Sequence, residues 1–163
     1  MPVKVPRVYV DSNVLLAYVG NEEGRADTVQ SILEDAQQSR IEILTSVLSI
    51  AEVAYVQADS DGGISSESDA AIDELWTPTS PITLVDVSET VVREARWVIR
   101  RAKQTSVGGI RSADAIHLAS ARLHGCDRLF TYENESTRQR WDTLIEANVV
   151  EPFADTPQLG FSV

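Results

Sequence analysis

The chain has 163 residues, of which 43% are hydrophobic, and this suits one globular domain with a substantial core. Its one cysteine, Cys126, excludes an internal disulfide and a thiolate zinc cluster, so we expect an inert thiol in a reducing cytoplasm. No apolar run reaches the ~20 residues of a membrane span, and the net charge of −11 argues against a surface that is basic throughout, so we expect a soluble, unprocessed protein.

The charge is unevenly distributed. No lysine or arginine occurs between Arg40 and Arg93, whereas the stretch from Arg93 to Arg111 contains six basic residues and a single acid, Glu94. The chain is therefore acidic overall and basic in one segment. Lys4 and Lys103 are its only lysines, a bias that fits either a GC-rich genome or adaptation to high salt.

Hydrophobic periodicity and turn signals predict strands alternating with helices. In the first half they predict a strand in VPRVYV, helices over 12–20 and 24–39, a strand over Ile41–Thr45 and a buried helix over Val47–Ala58. A polar loop over Asp59–Ser68 follows, because it contains a Gly pair. In the second half they predict a helix over 67–76, a strand over 82–87, a Ser-capped helix over Ser88–Gln104, a helix from Ser112 to Gly125, a strand over 127–133 and a helix over 136–147.

This alternation predicts an α/β fold with a mainly parallel sheet covered on both faces, because parallel strands need crossover connections. Ligands of such sheets bind where strands hand over to helices, at the carboxyl edge. Four acids occupy that edge or could reach it. They are Asp11, Glu52, Asp114 and Glu133.

Each of these acids also has a simpler explanation. Asp11 could be an ordinary N-cap, Asp114 could favour a helix dipole with Ser112 as the cap, and Glu133 could be a solvated loop acid. Glu52 is harder to explain in this way, because it lies in the apolar sequence SIAEVAYV and a buried carboxylate needs a cation or a hydrogen-bond donor.

Taken together, four carboxylates without a cysteine form the ligand set of a hard cation, Mg²⁺ or Mn²⁺. Such ions lower the pKa of a bound water and neutralise charge on a phosphoryl oxygen, so the chemistry they support best is phosphodiester hydrolysis. Helix N-termini next to Asp11 and Asp114 would add N–H groups for a phosphate.

The motifs YVDSNVLL, TSVLSIAEV, RSADAIHLASA and LFTYE, in this order from Val8 to about Val150, resemble those of the PIN domain family, and most closely its VapC-type toxins. The resemblance implies a three-layer α/β/α fold with four or five parallel strands, and a single domain over 1–163 with a core at about 7–150 and a tail over 151–163.

The resemblance also implies a metal-dependent endoribonuclease. It assigns Asp11 and Asp114 as metal ligands and Glu52 as a ligand directly or through water. Glu133 would be the fourth acid, where the family typically has Asp, and would position a second metal or the attacking water. Asn13 and Thr131 would support these acids. For His117 and His124 we expect packing or surface roles.

For a ribonuclease, the basic segment from Arg93 to Arg111 could bind RNA, because a positive rim beside an acidic pocket can hold an RNA backbone. The candidate RNA-binding residues are Arg93, Arg96, Arg100 and Arg111. The arginines of the helix could equally serve only to solvate it, whereas Arg111 lies three residues from Asp114 and is the better candidate.

A toxin of this kind would act on RNA, form a homodimer and bind an antitoxin protein, and we expect the partner groove near Glu52 and the Asp59–Ser68 loop. A non-cleaving PIN-like module that binds RNA or protein is the alternative, motivated by Glu133 and the net acidity. A phosphoacceptor signalling domain is weaker, because the chain lacks a lysine after a late strand and an acidic pair beside Asp11.

Overall fold

The computed structural model describes residues 2–59, 61–105 and 108–155. In this part of the chain the strands are β1 (Arg7–Val10), β2 (Glu42–Ser46), β3 (Ile82–Val85), β4 (Arg128–Phe130) and β5 (Asn148–Val150). The helices are α1 (Ser12–Val19), α2 (Ala26–Gln37), α3 (Leu48–Glu52), α4 (Ser66–Leu75), α5 (Glu89–Gln104), α6 (Ser112–Leu123) and α7 (Glu135–Ile145). The predicted tail beyond 155 and Ser60 of the predicted loop lie outside the described residues.

The described strands form one parallel sheet in the order β3-β2-β1-β4-β5. The chain moves outward from β1 through β2 to β3 and then crosses to the other side of β1 to form β4 and β5. The direction of strand order therefore reverses between β1 and β4, where open parallel sheets bind their ligands.

Alternating side chains of β1 separate two hydrophobic clusters. Tyr9 lies in a cluster with residues of α5, α6 and α7, whereas Val8 and Val10 lie in a second cluster with residues of α1, α2 and α4. The sheet is thus the middle layer between two layers of helices, which confirms the predicted α/β/α architecture. None of the described helices is long and apolar enough to cross a membrane.

The prediction of one helix over Val47–Ala58 is wrong, because α3 ends at Glu52 and a short 3₁₀ turn follows at Gln57–Asp59. Val53 is fully buried and Val56 nearly so, while Ala54 and Tyr55 between them are exposed. A turn brings the two valines into the core as well as a helix would, so their spacing does not distinguish the two. Tertiary packing decides the outcome.

The predicted Asp59–Ser68 loop is shorter than expected, because α4 begins at Ser66 with Ser65 as its N-cap. Ser88 caps α5 as predicted, and its side chain accepts a hydrogen bond from the Val91 N–H. Gly125 follows His124, the C-cap of α6, and has a φ of 61°, a left-handed conformation that favours glycine.

Candidate active site

Asp11 lies at the end of β1 and is both a helix cap and a buried acid. Its Oδ1 accepts a hydrogen bond from the Ser12 N–H at 2.7 Å, and its Oδ2 accepts one from Thr131 Oγ1 at 3.1 Å. Only 5% of Asp11 is exposed. The simpler explanation of Asp11 as an N-cap is therefore correct but incomplete, because its second oxygen is tied to the end of β4.

Asn13 and Thr131 connect the ends of β1 and β4. Thr131 Oγ1 accepts hydrogen bonds from Asn13 Nδ2 at 3.1 Å and from the Glu133 N–H at 3.2 Å, while it donates to Asp11. Asn13 Oδ1 accepts a hydrogen bond from the Tyr132 N–H at 3.1 Å. The two residues therefore fix the positions of Asp11 and of the backbone that carries Glu133.

Asp114 lies in the first turn of α6, and its side chain is 20% exposed. Arg111 Nε donates a hydrogen bond to its Oδ2 at 3.2 Å. Ser112 is not the cap of this helix, because the capping position is occupied by Arg111, which makes no side-chain capping bond. A carboxylate near this uncapped N-terminus is favoured by the helix dipole.

Glu52 is the last residue of α3, and its carboxylate accepts a hydrogen bond from His117 Nε2. His117 is 1% exposed, and its Nδ1 lies 2.6 Å from Tyr9 Oη, which in turn accepts the Ser46 N–H at 3.0 Å. His117 Nε2 also lies 3.8 Å from Asp11 Oδ1.

The expectation of a packing or surface role therefore misses the polar contacts of His117. His117 supplies a hydrogen-bond donor for Glu52, whose side chain is 28% exposed. The sequence offered one signal, since His117 follows Asp114 by three residues and such residues share a helix face. His124, by contrast, lies half-buried at the end of α6.

The acids influence each other electrostatically. Burial raises the pKa of Asp11, and the charge of Asp114 raises it further against the opposing effects of His117 and the two hydrogen bonds. Burial, followed by the charges of Asp11 and Asp114, raises the pKa of Glu133. Burial lowers the pKa of His117, but the hydrogen bond to Glu52 and the nearby acids outweigh it and raise this pKa overall. The site therefore favours the binding of a cation or a proton.

The donors of the site suit a hard divalent cation by chemical type, since the predicted ligands Asp11, Glu52 and Asp114 and the fourth acid Glu133 are all carboxylates. Within the described ranges, no group of three or more His, Cys, Asp or Glu side chains is arranged to hold a metal ion. Glu52 faces His117 and Asp114 faces Arg111. Each contact uses one carboxylate oxygen, Glu52 Oε1 and Asp114 Oδ2, so the other oxygen of each carboxylate would be the one to bind a metal ion.

Of the predicted RNA-binding arginines, Arg111 contacts the acidic cluster (Asp11, Glu52, Asp114 and Glu133) through Asp114, and its side chain is 85% exposed. Arg93 forms an ion pair with Glu89 on its own helix, and Arg96 and Arg100 lie exposed on the same helix.

A family model described as PIN domain matches residues 8–141. A comparison with curated protein sequences found no match. Among solved structures, VapBC2 from Rickettsia felis bound to a DNA fragment from their promoter is 14% identical with a TM-score of 0.68, and the match covers 90% of this chain and 98% of that one.

Two further solved structures are similar. The Mycobacterium tuberculosis VapC20, described as a Sarcin-Ricin loop cleaving toxin, is 16% identical with a TM-score of 0.57, over 80% of this chain and 92% of that one. A toxin-antitoxin complex from Klebsiella pneumoniae is 18% identical with a TM-score of 0.57, and the match covers 90% of this chain and 98% of that one. At these identities the structures support the fold.

Proposed function

This chain belongs to the PIN domain family, and we propose that it is a metal-dependent endoribonuclease that hydrolyses RNA phosphodiester bonds. The observation that supports this most is the meeting of acidic side chains where the strand order reverses between β1 and β4. Asp11 and Glu133 follow these two strands, and Asp114 raises the pKa of both. We also propose that residues 7–150 form a single domain.

We propose Asp11 and Asp114 as direct ligands of Mg²⁺ or Mn²⁺ and Glu52 as a ligand directly or through water. When bound, the ion would supply an activated water and neutralise charge on a phosphoryl oxygen. The remaining roles belong to the protein. Thr131 and Asn13 orient Asp11, and His117 orients Glu52 through the hydrogen bond that it donates.

Glu133 is proposed to accept a proton from the attacking water. A base works best when its pKa lies near the working pH, and burial together with two neighbouring acids raises the pKa of Glu133 towards that range. The Glu133 N–H donates a hydrogen bond to Thr131 Oγ1, which also bonds Asp11, so the backbone position of Glu133 is fixed relative to Asp11. The free N–H groups at the start of α6 can bind a phosphate oxygen.

The basic segment is proposed to hold the RNA backbone. Arg111 is the leading candidate because it is exposed and adjoins Asp114, and Arg93, Arg96 and Arg100 would extend this surface along α5. Local positive charge of this kind is needed, because the net charge of the chain is −11.

We propose further that the protein is the toxin of a toxin–antitoxin pair, acting in the cytoplasm as a homodimer with a protein antitoxin. The Klebsiella pneumoniae structure, which is described as a toxin-antitoxin complex, has the same fold over most of this chain. A short reading frame overlapping or adjoining this one would support the pairing.

A non-cleaving module that binds RNA or protein is the second candidate. It is favoured by the partners that Glu52 and Asp114 already have in His117 and Arg111. The two candidates differ in whether purified protein cuts RNA.

The deciding experiment incubates purified protein with single-stranded RNA in Mg²⁺, in Mn²⁺ and in EDTA, together with Asp11→Asn and Asp114→Asn purified in parallel. We expect metal-dependent cleavage by the wild type alone, with circular dichroism showing that both variants are folded. Undiminished metal-dependent cleavage by both variants would refute the assignment, and binding without cleavage by the wild type would favour the second candidate.

A further inference from the structure

A cavity of about 530 Å³ opens beside the acidic cluster. Asn13, Glu52 and Glu133 form part of its wall, so the cavity is continuous with the candidate active site. The rest of the wall includes Tyr55, Tyr132 and Arg25. Its volume falls within the range of about 300–1,000 Å³ that is typical of small-ligand sites.

The early end of α3 builds one side of this cavity. Beyond Glu52 the chain turns, so that Val53 faces the core, while Val56, nearly buried, and Tyr55, with 52% of its surface exposed, lie on the cavity wall. Gly20 lies opposite this segment, and a Cβ atom there would lie 2.9 Å from the Leu16 carbonyl oxygen and 3.9 Å from Val56 Cγ1. The turn therefore lies in van der Waals contact with the end of α1 at Gly20.

A cation and a second aromatic ring form another part of the wall. The Arg25 guanidinium carbon lies 4.3 Å from the centre of the Tyr132 ring, and Arg25 Nη1 lies 3.1 Å from Glu22 Oε2. The Arg25 side chain is 45% exposed. Stacking on the ring holds the guanidinium in place, and its planar array of donors suits a phosphate.

We propose that this cavity is a subsite for one unpaired nucleotide of the RNA substrate, flanking the phosphate that is cut. The base would stack on Tyr55, and Arg25 would contact the next phosphate along the strand. This inference rests on the proposed ribonuclease function and adds where the strand lies and which form of RNA is accepted.

The chemistry of the wall favours a nucleotide. Proteins that read single-stranded RNA stack splayed bases on aromatic rings and bind the backbone through arginine. Here an exposed phenol ring, apolar side chains of Leu16 and Val56, and an arginine surround a space that adjoins the acids proposed to act on the phosphate. Bases within a duplex are already stacked and paired, so a duplex should not enter.

Two variants test the subsite separately from the chemistry. Tyr55→Leu removes the ring but keeps an apolar side chain, and Arg25→Gln removes the positive charge; both residues are exposed, so folding should be retained. Arg128→Gln is the matched control, because Arg128 also forms an ion pair, with Asp155, and stacks on Phe153, but it lies at the start of β4, at the opposite edge of the sheet.

The affinity of these variants for a fluorescent single-stranded RNA is measured by anisotropy in an Asp114→Asn background with Mn²⁺, over a range of salt concentrations. Cleavage by each variant is measured in the otherwise wild-type protein. The unlabelled strand and its duplex serve as competitors.

Tyr55→Leu should weaken binding about tenfold and raise KM with little change in kcat, since one base stack is lost. Arg25→Gln should also weaken binding and reduce the slope of log affinity against log salt by about 0.7, the value of one single-strand phosphate contact. Tyr55→Leu should leave that slope unchanged, Arg128→Gln should bind like its parent, and the duplex should compete poorly.

Unchanged RNA affinity and KM in both variants would overturn the subsite, and this would be the result if the cavity served a protein segment instead. Cleavage by the wild type would then still support the ribonuclease. If the wild type binds RNA without cutting it and both variants bind more weakly, the subsite stands and the enzyme assignment fails. A wild type that binds no RNA would overturn the subsite as well.

Discussion

Replacing Asp11 by Asn is expected to remove metal binding without unfolding the protein, and this can be measured through the melting temperature. Without divalent cations at pH 7, Asp11→Asn should melt at a slightly higher temperature than the wild type. With Mn²⁺ the order should reverse, because only the wild type should gain stability from the ion. This outcome would locate the metal site without any measurement of RNA cleavage.

The higher melting temperature expected for Asp11→Asn without divalent cations follows from the raised pKa of Asp11. An acid whose pKa is higher in the folded state contributes stability below its unfolded pKa, near 3.8, and this contribution is lost as the pH rises through the folded value. At pH 7 the charged carboxylate therefore opposes folding, whereas Asn is neutral. Asn retains an oxygen acceptor, so one of the bonds from Ser12 and Thr131 remains.

The effect of the substitution on stability can be compared with the effect of metal binding. Removal of the buried charge should stabilise the variant, and the weaker hydrogen bonds of the amide, at about 0.5–1.5 kcal/mol each, offset part of that gain. For a chain of 163 residues each kcal/mol of net gain corresponds to about 2–4 °C in melting temperature. A metal ion at a hundred times its dissociation constant adds about 2.7 kcal/mol to the wild type, or roughly 5–11 °C.

The assay is thermal unfolding followed by circular dichroism, with EDTA or with increasing Mn²⁺. Asp127→Asn is the matched control, because Asp127 also accepts a backbone N–H, from Arg7 at 2.8 Å, but lies at the opposite end of β4. Asp127→Asn should keep the full response to Mn²⁺. Equal stabilisation of Asp11→Asn and the wild type by Mn²⁺ would show that Asp11 holds no metal.

Three further outcomes are expected. Thr131→Val should lower the melting temperature by about 2–8 °C and cleavage by at least about tenfold, because Asp11 and Asn13 lose a buried hydrogen-bond partner; an unchanged rate would exclude its positioning role. Glu133→Gln should slow cleavage and remove the acidic limb of the pH–rate profile, whereas Glu133→Asp should keep that limb; an identical profile in Glu133→Gln would assign the base elsewhere. Burial raises the pKa of Cys126 to about 12, so alkylation at pH 8 should be slow in native protein and fast in urea, and rapid native labelling would contradict its burial.

Local signals in the sequence were sufficient for most of the fold. The apolar run ending at Val10 and the caps Asp11 and Ser88 locate β1, α1 and α5 within a residue or two, because a buried strand and a capping side chain depend on neighbours in sequence. Three layers follow from the alternation of elements, because parallel strands require crossovers. The strand order required more than this pattern, since periodicity does not specify which strands pair.

The contacts that complete the site could not be read from local patterns. His117 and Glu52 are 65 residues apart, and their pairing depends on how α3 and α6 approach the same end of the sheet. The hydrogen bond from Thr131 to Asp11 likewise spans 120 residues. The family resemblance pointed to Thr131 as a supporting residue, whereas the spacing of His117 from Asp114 indicated only a shared helix face and did not identify Glu52 as the partner of His117.

The premature end of α3 links the two parts of the site. If α3 continued through Ala58, Tyr55 would be a residue of that helix. Because the chain turns after Glu52, the Tyr55 ring instead lies exposed on the wall of the adjoining cavity. The same end leaves Glu52 at a helix terminus, where its carboxylate meets His117. A sequence change that extended α3 should therefore affect both the proposed metal ligand and the proposed nucleotide subsite, although neither Glu52 nor Tyr55 would be altered.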